Sequence, residues 1–240
     1  MKSSSTFLAI YGSYQSLELA LYKENICIAQ YQESKARASS VLIPLIDNLL
    51  TNNNTNLTEL NFIALDVGPG AFTSLRVIIS SINGIAYASK IPLITVDGLE
   101  ALAQTTQMYL TESNTEPEKY HLIALLNAYN QEVYHAHYYY NNENMQLTEP
   151  ASYTAASIFF ETLANKNYHI PLIFTGNGSL LHQELISHFF KGKEYQIINI
   201  PHANTESISI IGKNSFIKNQ NISYEVQPLY LKKETFVTIK

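Results

Sequence analysis

The chain has a single cysteine, no tryptophan and a charged fraction of only 15% over its 240 residues. One thiol, Cys27, cannot close an intrachain disulfide or supply a cysteine-based zinc site. Its place in the apolar run ICIAQY predicts a buried, inert side chain. No apolar run reaches the ~18 residues that a membrane-spanning helix needs, and the N-terminal residues lack a signal-peptide cleavage pattern. The expectation is a cytoplasmic protein with no membrane association. Fifteen basic residues against 20 acidic ones give a net charge of −5 and a pI near 5.8. That excludes a general basic footprint for nucleic acid, so an RNA role would need a local patch or a basic partner. The charged fraction falls below the ~25% usual for soluble domains. Neutral polar groups must then hydrate the surface, and some apolar surface is left over for a partner. Hydrophobic residues, at 46%, suffice for a core, and the length fits one large domain or two lobes of roughly 100 residues.

Short apolar or alternating runs at 6–12, 16–22 and 26–31, punctuated by Gly12 and Glu24-Asn25, read as a β-meander. Residues 39–50 carry a helical apolar stripe, with Ser39 or Ser40 as cap and Pro44 near the first turn. NFIALDVG (61–68) reads as a strand apolar on both faces, the pattern of a central strand. A helix over 71–90, a strand over 91–97 and a helix over 98–110 follow. The acidic, polar stretch 111–119 marks a boundary, giving lobes of 1–110 and 111–240, the C-terminal segment packing back on the first. The second half begins again with a hairpin, 121–128 and 132–140 around Tyr129-Asn130-Gln131. A helix (154–165), a strand (170–176), a helix (179–190), a strand (195–200) and a helix (207–219) complete it. The same order of elements twice points to two similar α/β lobes.

GPGAFTSLR (68–76) sits where a strand hands over to a helix, the place of a phosphate cradle. A Walker loop needs a Lys after its last glycine, and none follows Gly70; a dinucleotide loop needs three spaced glycines, and only two are present. Gly68, Pro69 and Gly70 instead let the chain turn out of the strand and set Phe72, Thr73 and Arg76 at the helix start. In that helix Val77, Ser80, Ser81, Gly84 and Ala88 form a small-residue stripe, while Leu75, Ile78, Ile79, Ile82 and Ile85 cover much of the rest. A helix apolar or small nearly all round is buried nearly all round. Gly84 costs about 1 kcal/mol inside a helix, tolerable where another backbone comes close. A well-filled core and a bundle shared with another protein both fit these patterns.

GPGAFTSLR followed by VIISSINGIAYASKIPLITVDGLEALA resembles the TsaB (YeaZ) family, whose usual pattern is GPGSFTGLR, then KGLAYA, IPL and a segment like SLEALA. ASSVLIPLIDNLL, NAYNQEVYHAHY, FTGNGS, PHA (201–203) and QPLYLKK (227–233) resemble further family segments in the same order, so the likeness spans essentially the whole chain. It implies a two-lobed α/β fold of the actin, Hsp70 and sugar-kinase type (ribonuclease H-like). It implies a non-catalytic partner of TsaD in synthesis of threonylcarbamoyladenosine on tRNA, docking through first-lobe helices. The ATPase TsaE joins the pair, tRNA is met through the complex, and the isolated chain can pair with itself. The interface so implied comprises Leu42, Leu45, Ile46, Leu49, Phe72, Leu75, Arg76, Val77, Ile79, Ser80 and Gly84, with Gly68, Pro69, Gly70 and Thr73 forming the turn and helix start.

Where the catalytic paralogue carries its two metal-binding histidines, this sequence has Gly98 and Leu102, neither a metal ligand. Tyr11-Gly12-Ser13 stands where relatives read Asp-Thr-Ser, and Asn127 and Asn177 stand where they have Asp. Ala38 replaces the family's histidine of the first helix, and Ser74 the glycine after Phe-Thr. Losing those carboxylates removes the charge that holds Mg²⁺. No catalytic residue, metal or cofactor is therefore expected. His135 and His137, two apart on one strand with Glu132 near, read as a packed pair rather than a metal site. The tyrosine run 138–140 reads as cover for a sheet face. Ser13, Ser39 and Ser179 lack a placed His–Asp pair. The competing reading is an independent ATPase or kinase of the same fold, which would turn over Mg-ATP alone.

Overall fold

The computed structural model describes residues 5–70, 72–141 and 144–232, with the side chains of 35–39 and 72 outside the description. The N-terminal meander is β1 (Thr6–Gly12), β2 (Ser16–Lys23) and β3 (Ile26–Ser34). It is followed by α1 (Lys35–Asn52), β4 (Phe62–Asp66), α2 (Phe72–Ser89), β5 (Leu93–Val96) and α3 (Gly98–Glu112). The order then repeats: β6 (Lys119–Asn127), β7 (Glu132–Asn141), β8 (Asn144–Ala155), α4 (Ala156–Ala164), β9 (Leu172–Thr175), α5 (Asn177–Leu181), α6 (Gln183–Phe189), β10 (Tyr195–Ile197) and α7 (Thr205–Ile217), with β11 (Ile222–Ser223) last. The first sheet runs β11-β5-β4-β1-β2-β3 and the second β10-β9-β6-β7-β8. In each, a three-stranded antiparallel meander continues into parallel strands joined by helices.

Side-chain alternation builds the layers. Along β1, Phe7, Ala9 and Tyr11 face a central core shared by both sheets and by α3 and α7, while Leu8 and Ile10 face outward to α1 and α2. On the second sheet, Ile123, Leu125 and Val133 face outward, toward Phe159 and Phe160 of α4 and Ile186 of α6. Helix α7 comes close to the sheet at Gly212, where a Cβ would lie 2.4 Å from the Cβ of Ala64 on β4. The last described residues return to the first lobe. There β11 pairs with β5, the N–H of Leu229 bonds the carbonyl of Val67 at 2.7 Å, and Asn83 of α2 exchanges two hydrogen bonds with the backbone of Val226.

Several expectations are corrected. Cys27 is exposed, because β3 is an edge strand open at that residue on both sides. Helix α1 begins at Lys35, so neither Ser39 nor Ser40 caps it, and Pro44 lies inside the helix on its solvent side. The helix expected over 179–190 is two short helices broken at His182. Strand β8, a stretch to which the sequence pattern assigns no element before residue 154, extends the second meander. Its sequence, NMQLTEPASYTA, is polar and contains Pro150, and it tolerates both only as a bulged edge strand.

A candidate partner-binding face and the cleft between lobes

Strand β4 is buried throughout and ends at Asp66. Gly68 has φ +94°, the left-handed region that glycine adopts without strain, and a Cβ there would meet Leu75 Cδ2 at 2.8 Å. Gly70 has open space around it and no positive φ, so Gly68 alone of the two requires its residue type for the turn. No phosphate cradle follows. Arg76, one turn into α2, bonds the Tyr230 hydroxyl through Nε at 3.0 Å, with its guanidinium 5.3 Å from that ring. The C-terminal segment thereby ties down the side of the helix.

Helix α2 is two-faced. Leu75, Ile78, Ile79, Ile82 and Ala86 point into the first lobe's outer core. Thr73, Arg76, Ser80, Gly84 and Ala88 are exposed, Val77 and Ser81 are half-buried, and Tyr87 is 77% exposed. Beside it, α1 buries Leu42, Ile46 and Leu49 in the same core, half-buries Leu45 and leaves Ile43 48% exposed. Of the residues expected at an interface, Leu42, Ile46, Leu49, Leu75 and Ile79 are thus core residues. Their burial is worth roughly 1.5–3 kcal/mol each and holds the helices to the sheet. Gly68 and Pro69 are also buried, and Phe72's side chain lies outside the described residues. The outward set is Arg76, Val77, Ser80 and Gly84, to which Tyr87 and Ile43 belong by position. Sequence reading missed these two, although Tyr87 lies three residues after Gly84 on the same stripe. A Cβ built on Gly84 would find nothing within 4 Å. No contact among the described residues accounts for this mid-helix glycine.

Where the lobes meet, the turn after β1 faces the turn after β6. The Tyr14 hydroxyl donates to the carbonyl of Asn127 at 2.6 Å, and its ring lies 6.1 Å from Tyr129 and 6.0 Å from His202. Tyr129, Asn130 and Gln131 all have φ between +51° and +60°. The N–H of Ala203 bonds the Tyr11 hydroxyl at 3.2 Å, and Asn177 Oδ1 accepts from the N–H of Asn127 at 2.8 Å. Burial raises the pKa of both Tyr11 and Tyr14, with negative charge on Asp66 adding to it, so both are neutral hydroxyls. Tyr14 therefore bridges the two turns, while the Asn177 amide holds the end of β6 within the second lobe. Ser13 bonds Ser16 in its own turn, and Ser179 bonds the carbonyl of Gly176.

His135 and His137 lie under α4, ring centroids 5.6 Å apart, both packed on Phe159. Their acidic neighbour is Glu149, 3.2 Å from His137 Nδ1, and not Glu132, which pairs with Lys232. Burial pushes both imidazoles down to about 4, against the pull of Glu149, so both are neutral at physiological pH. Among the described residues no group of three or more His, Cys, Asp or Glu is placed to hold a metal ion. Tyr138 and Tyr140 are buried in the central core. No helix of the described residues is long and apolar enough to cross a membrane.

A family model described as TsaD, tRNA N6-adenosine threonylcarbamoyltransferase, matches residues 31–237. A protein of Buchnera aphidicola (subspecies Acyrthosiphon pisum), named tRNA threonylcarbamoyladenosine biosynthesis protein TsaB, is 24% identical over 225 residues, covering 93% of this chain and 95% of the relative. A Bacillus subtilis protein of the same name is 27% identical over 182 residues, 75% of each chain. The chain belongs to this family, in the branch that carries the TsaB (YeaZ) name. A Pseudomonas aeruginosa crystal structure, described as similar to peptidase YeaZ, superposes with a TM-score of 0.76 at 22% identity, covering 95% of this chain and all of that one. That likeness is one of fold, the two-lobed actin-like architecture also found in sugar kinases. Of the two positions, Gly98 and Leu102, at which the resemblance implies no metal ligand, Leu102 is fully buried. Gly98 is packed so tightly that a Cβ would sit 2.9 Å from Asp66 Oδ1 and 3.3 Å from the Gly68 carbonyl. An imidazole at residue 98 has no room in this packing.

Proposed function

We propose that this chain is the accessory subunit of a tRNA threonylcarbamoyladenosine-forming complex. It docks on a TsaD-like catalytic paralogue and activates threonylcarbamoyl transfer to N6 of adenosine 37, with a TsaE-like ATPase joining the pair and tRNA met through the complex in the cytoplasm. The observation that carries this reading is the outward face of α2. Val77, Ser80 and Gly84 let a partner backbone approach closely, Tyr87 and Ile43 supply apolar anchors, and nothing among the described residues covers Gly84. An accessory role is further supported by the crowding at Gly98 and by Tyr14 spanning the hairpin tips.

The test is reconstitution. Threonylcarbamoyladenosine formation by TsaD, TsaE and TsaC is measured with and without this chain, and with Val77→Asp. A charge at Val77 falls on the half-buried edge of the exposed face and is expected to remove TsaD binding while leaving the melting temperature nearly unchanged. Ile79→Lys cannot serve, because it buries a charge in the core. Hydrolysis of Mg-ATP by the chain alone favours the ATPase or kinase reading instead, and Val77→Asp protein that folds and still binds TsaD removes this face from the interface.

A further inference from the structure

Three glycines converge on one buried carboxyl group. Asp66 ends β4 and is 3% exposed. Its Oδ1 accepts the N–H of Gly68 at 2.7 Å, and the backbone of Gly12, at the end of β1, bonds it as well. Gly98, at the start of α3, lies against the same oxygen and donates its own N–H to the Gly68 carbonyl at 2.7 Å. A Cβ at any of the three would come within 3.0 Å of a neighbouring side chain. A Cβ on Gly12 would meet Ile78 Cδ1 at 2.7 Å, and one on Gly68 would meet Leu75 Cδ2, both residues of α2. Asp66 is therefore the knot through which β1, β4, α3 and the turn into α2 are tied.

Resting on the docking role proposed above, we infer that Asp66 is a positioning residue for α2: its carboxyl group clamps the Gly68 turn, and the clamp loosens as pH rises, weakening attachment of the catalytic partner. The groups that face it add no positive charge. Asp97 caps α3, Tyr11 ends β1 and Tyr14 follows in the turn, while the α2 side is apolar. Burial, helped by Asp97, pushes Asp66 up to about 7, against the pull of the two backbone bonds. A solvated carboxyl in an opened turn would sit near its ordinary ~4. Linkage then sets the direction: the closed turn holds the proton more tightly, so opening is favoured by up to tenfold per pH unit as pH rises between about 4 and about 7, and levels off above 7.

The test compares wild type with Asp66→Asn, which keeps the acceptor oxygen and cannot ionise. Amide hydrogen exchange across 68–80 is followed from pH 4.5 to 8.5, and affinity for purified TsaD is measured over the same range. The ratio of wild-type to variant exchange is expected to rise by up to tenfold per unit as pH approaches 7 and to level off above it, and wild-type affinity to fall in parallel while the variant's stays flat. Superimposable pH profiles overturn the inference. Should Asp66→Asn fail to fold, a ¹³C titration of the wild-type carboxyl decides, and a midpoint near 4 overturns it. Absence of TsaD binding at every pH, with Val77→Asp behaving like wild type, sinks the docking reading; the exchange data then judge the clamp separately.

Discussion

The two lobes contain the same turn twice and use it differently. Strands β4 and β9 each run into a glycine at nearly equal positive φ, +94° at Gly68 and +96° at Gly176, and each turn opens a helix. After Gly68 the helix runs unbroken for 18 residues with a small-residue stripe on its outer side. After Gly176 the chain manages only five helical residues before the break at His182, and the helices there close over an aromatic core of Phe160, Phe174 and Phe190. The glycines also answer to different neighbours. A Cβ on Gly176 would strike the Leu125 carbonyl oxygen at 2.0 Å, whereas one on Gly68 meets the end of a leucine side chain that can turn aside. In the second lobe the turn locks strand to strand. In the first it delivers to the surface a long helix, bare on its outer side, which is the face on which the proposed docking rests.

That contrast can be broken at graded cost. Gly176→Ala is expected to be the most damaging change. It combines a forbidden contact with a positive φ, and a loss above about 4 kcal/mol should prevent folding, while Gly68→Ala leaves a folded protein; expression and thermal melts of both decide. Next, Val77→Asp should cost at least a hundredfold in TsaD affinity. Leu181→Asp, at a 60% exposed position on the other lobe's outer side, should cost nothing, as titration calorimetry of the two would read. If both weaken binding alike, the lobes are not functionally distinct.

A smaller effect concerns pH. Asp66 is raised from 3.8 to about 7 in the folded chain. Its contribution is therefore fully present below about pH 4, declines as pH rises between those values, and is gone above 7. At about 1.4 kcal/mol per unit this amounts to roughly 4 kcal/mol at most. Denaturant melts of wild type and Asp66→Asn from pH 4 to 8 should differ in slope over that window, with the variant gaining relative stability at pH 8. The least change is expected from Gly84→Ala. The isolated chain should gain about 1 kcal/mol, since the added methyl meets nothing, while affinity for TsaD falls. A variant more stable and equally tight in binding would remove the reason given for that glycine.

Periodicity made most of the fold legible. The alternation of Phe7, Ala9 and Tyr11 against Leu8 and Ile10, and the stripe 75, 78, 79, 82, declare a strand and a helix without reference to anything distant. Strand β8 escaped because an edge strand needs no apolar face, and the break at His182 because SLLHQELISHFF is helical in local preference and is split by tertiary packing. The docking face was half legible. Composition shows that α1 and α2 carry more apolar and small residues than one face needs, but which side meets the sheet depends on register with β1 and β4. Hence Leu42, Ile46, Leu49, Leu75 and Ile79 were expected outside and lie within. The Asp66 knot was invisible, since its three glycines are 56 and 30 residues apart in the chain and only the sheet brings them together.

The return of residues 222–230 to the first lobe has a consequence for biosynthesis. Strand β11, the Leu229–Val67 bond and the Tyr230–Arg76 contact are all made by residues translated after the second lobe is complete. Domains emerging from the ribosome ordinarily fold N-terminal first. Here the first lobe waits, its edge strand β5 unpaired and the flank of α2 unstrapped, until residues 222–230 have been made. A ribosome stalled before that point would carry a nascent chain whose earliest lobe is still unsealed.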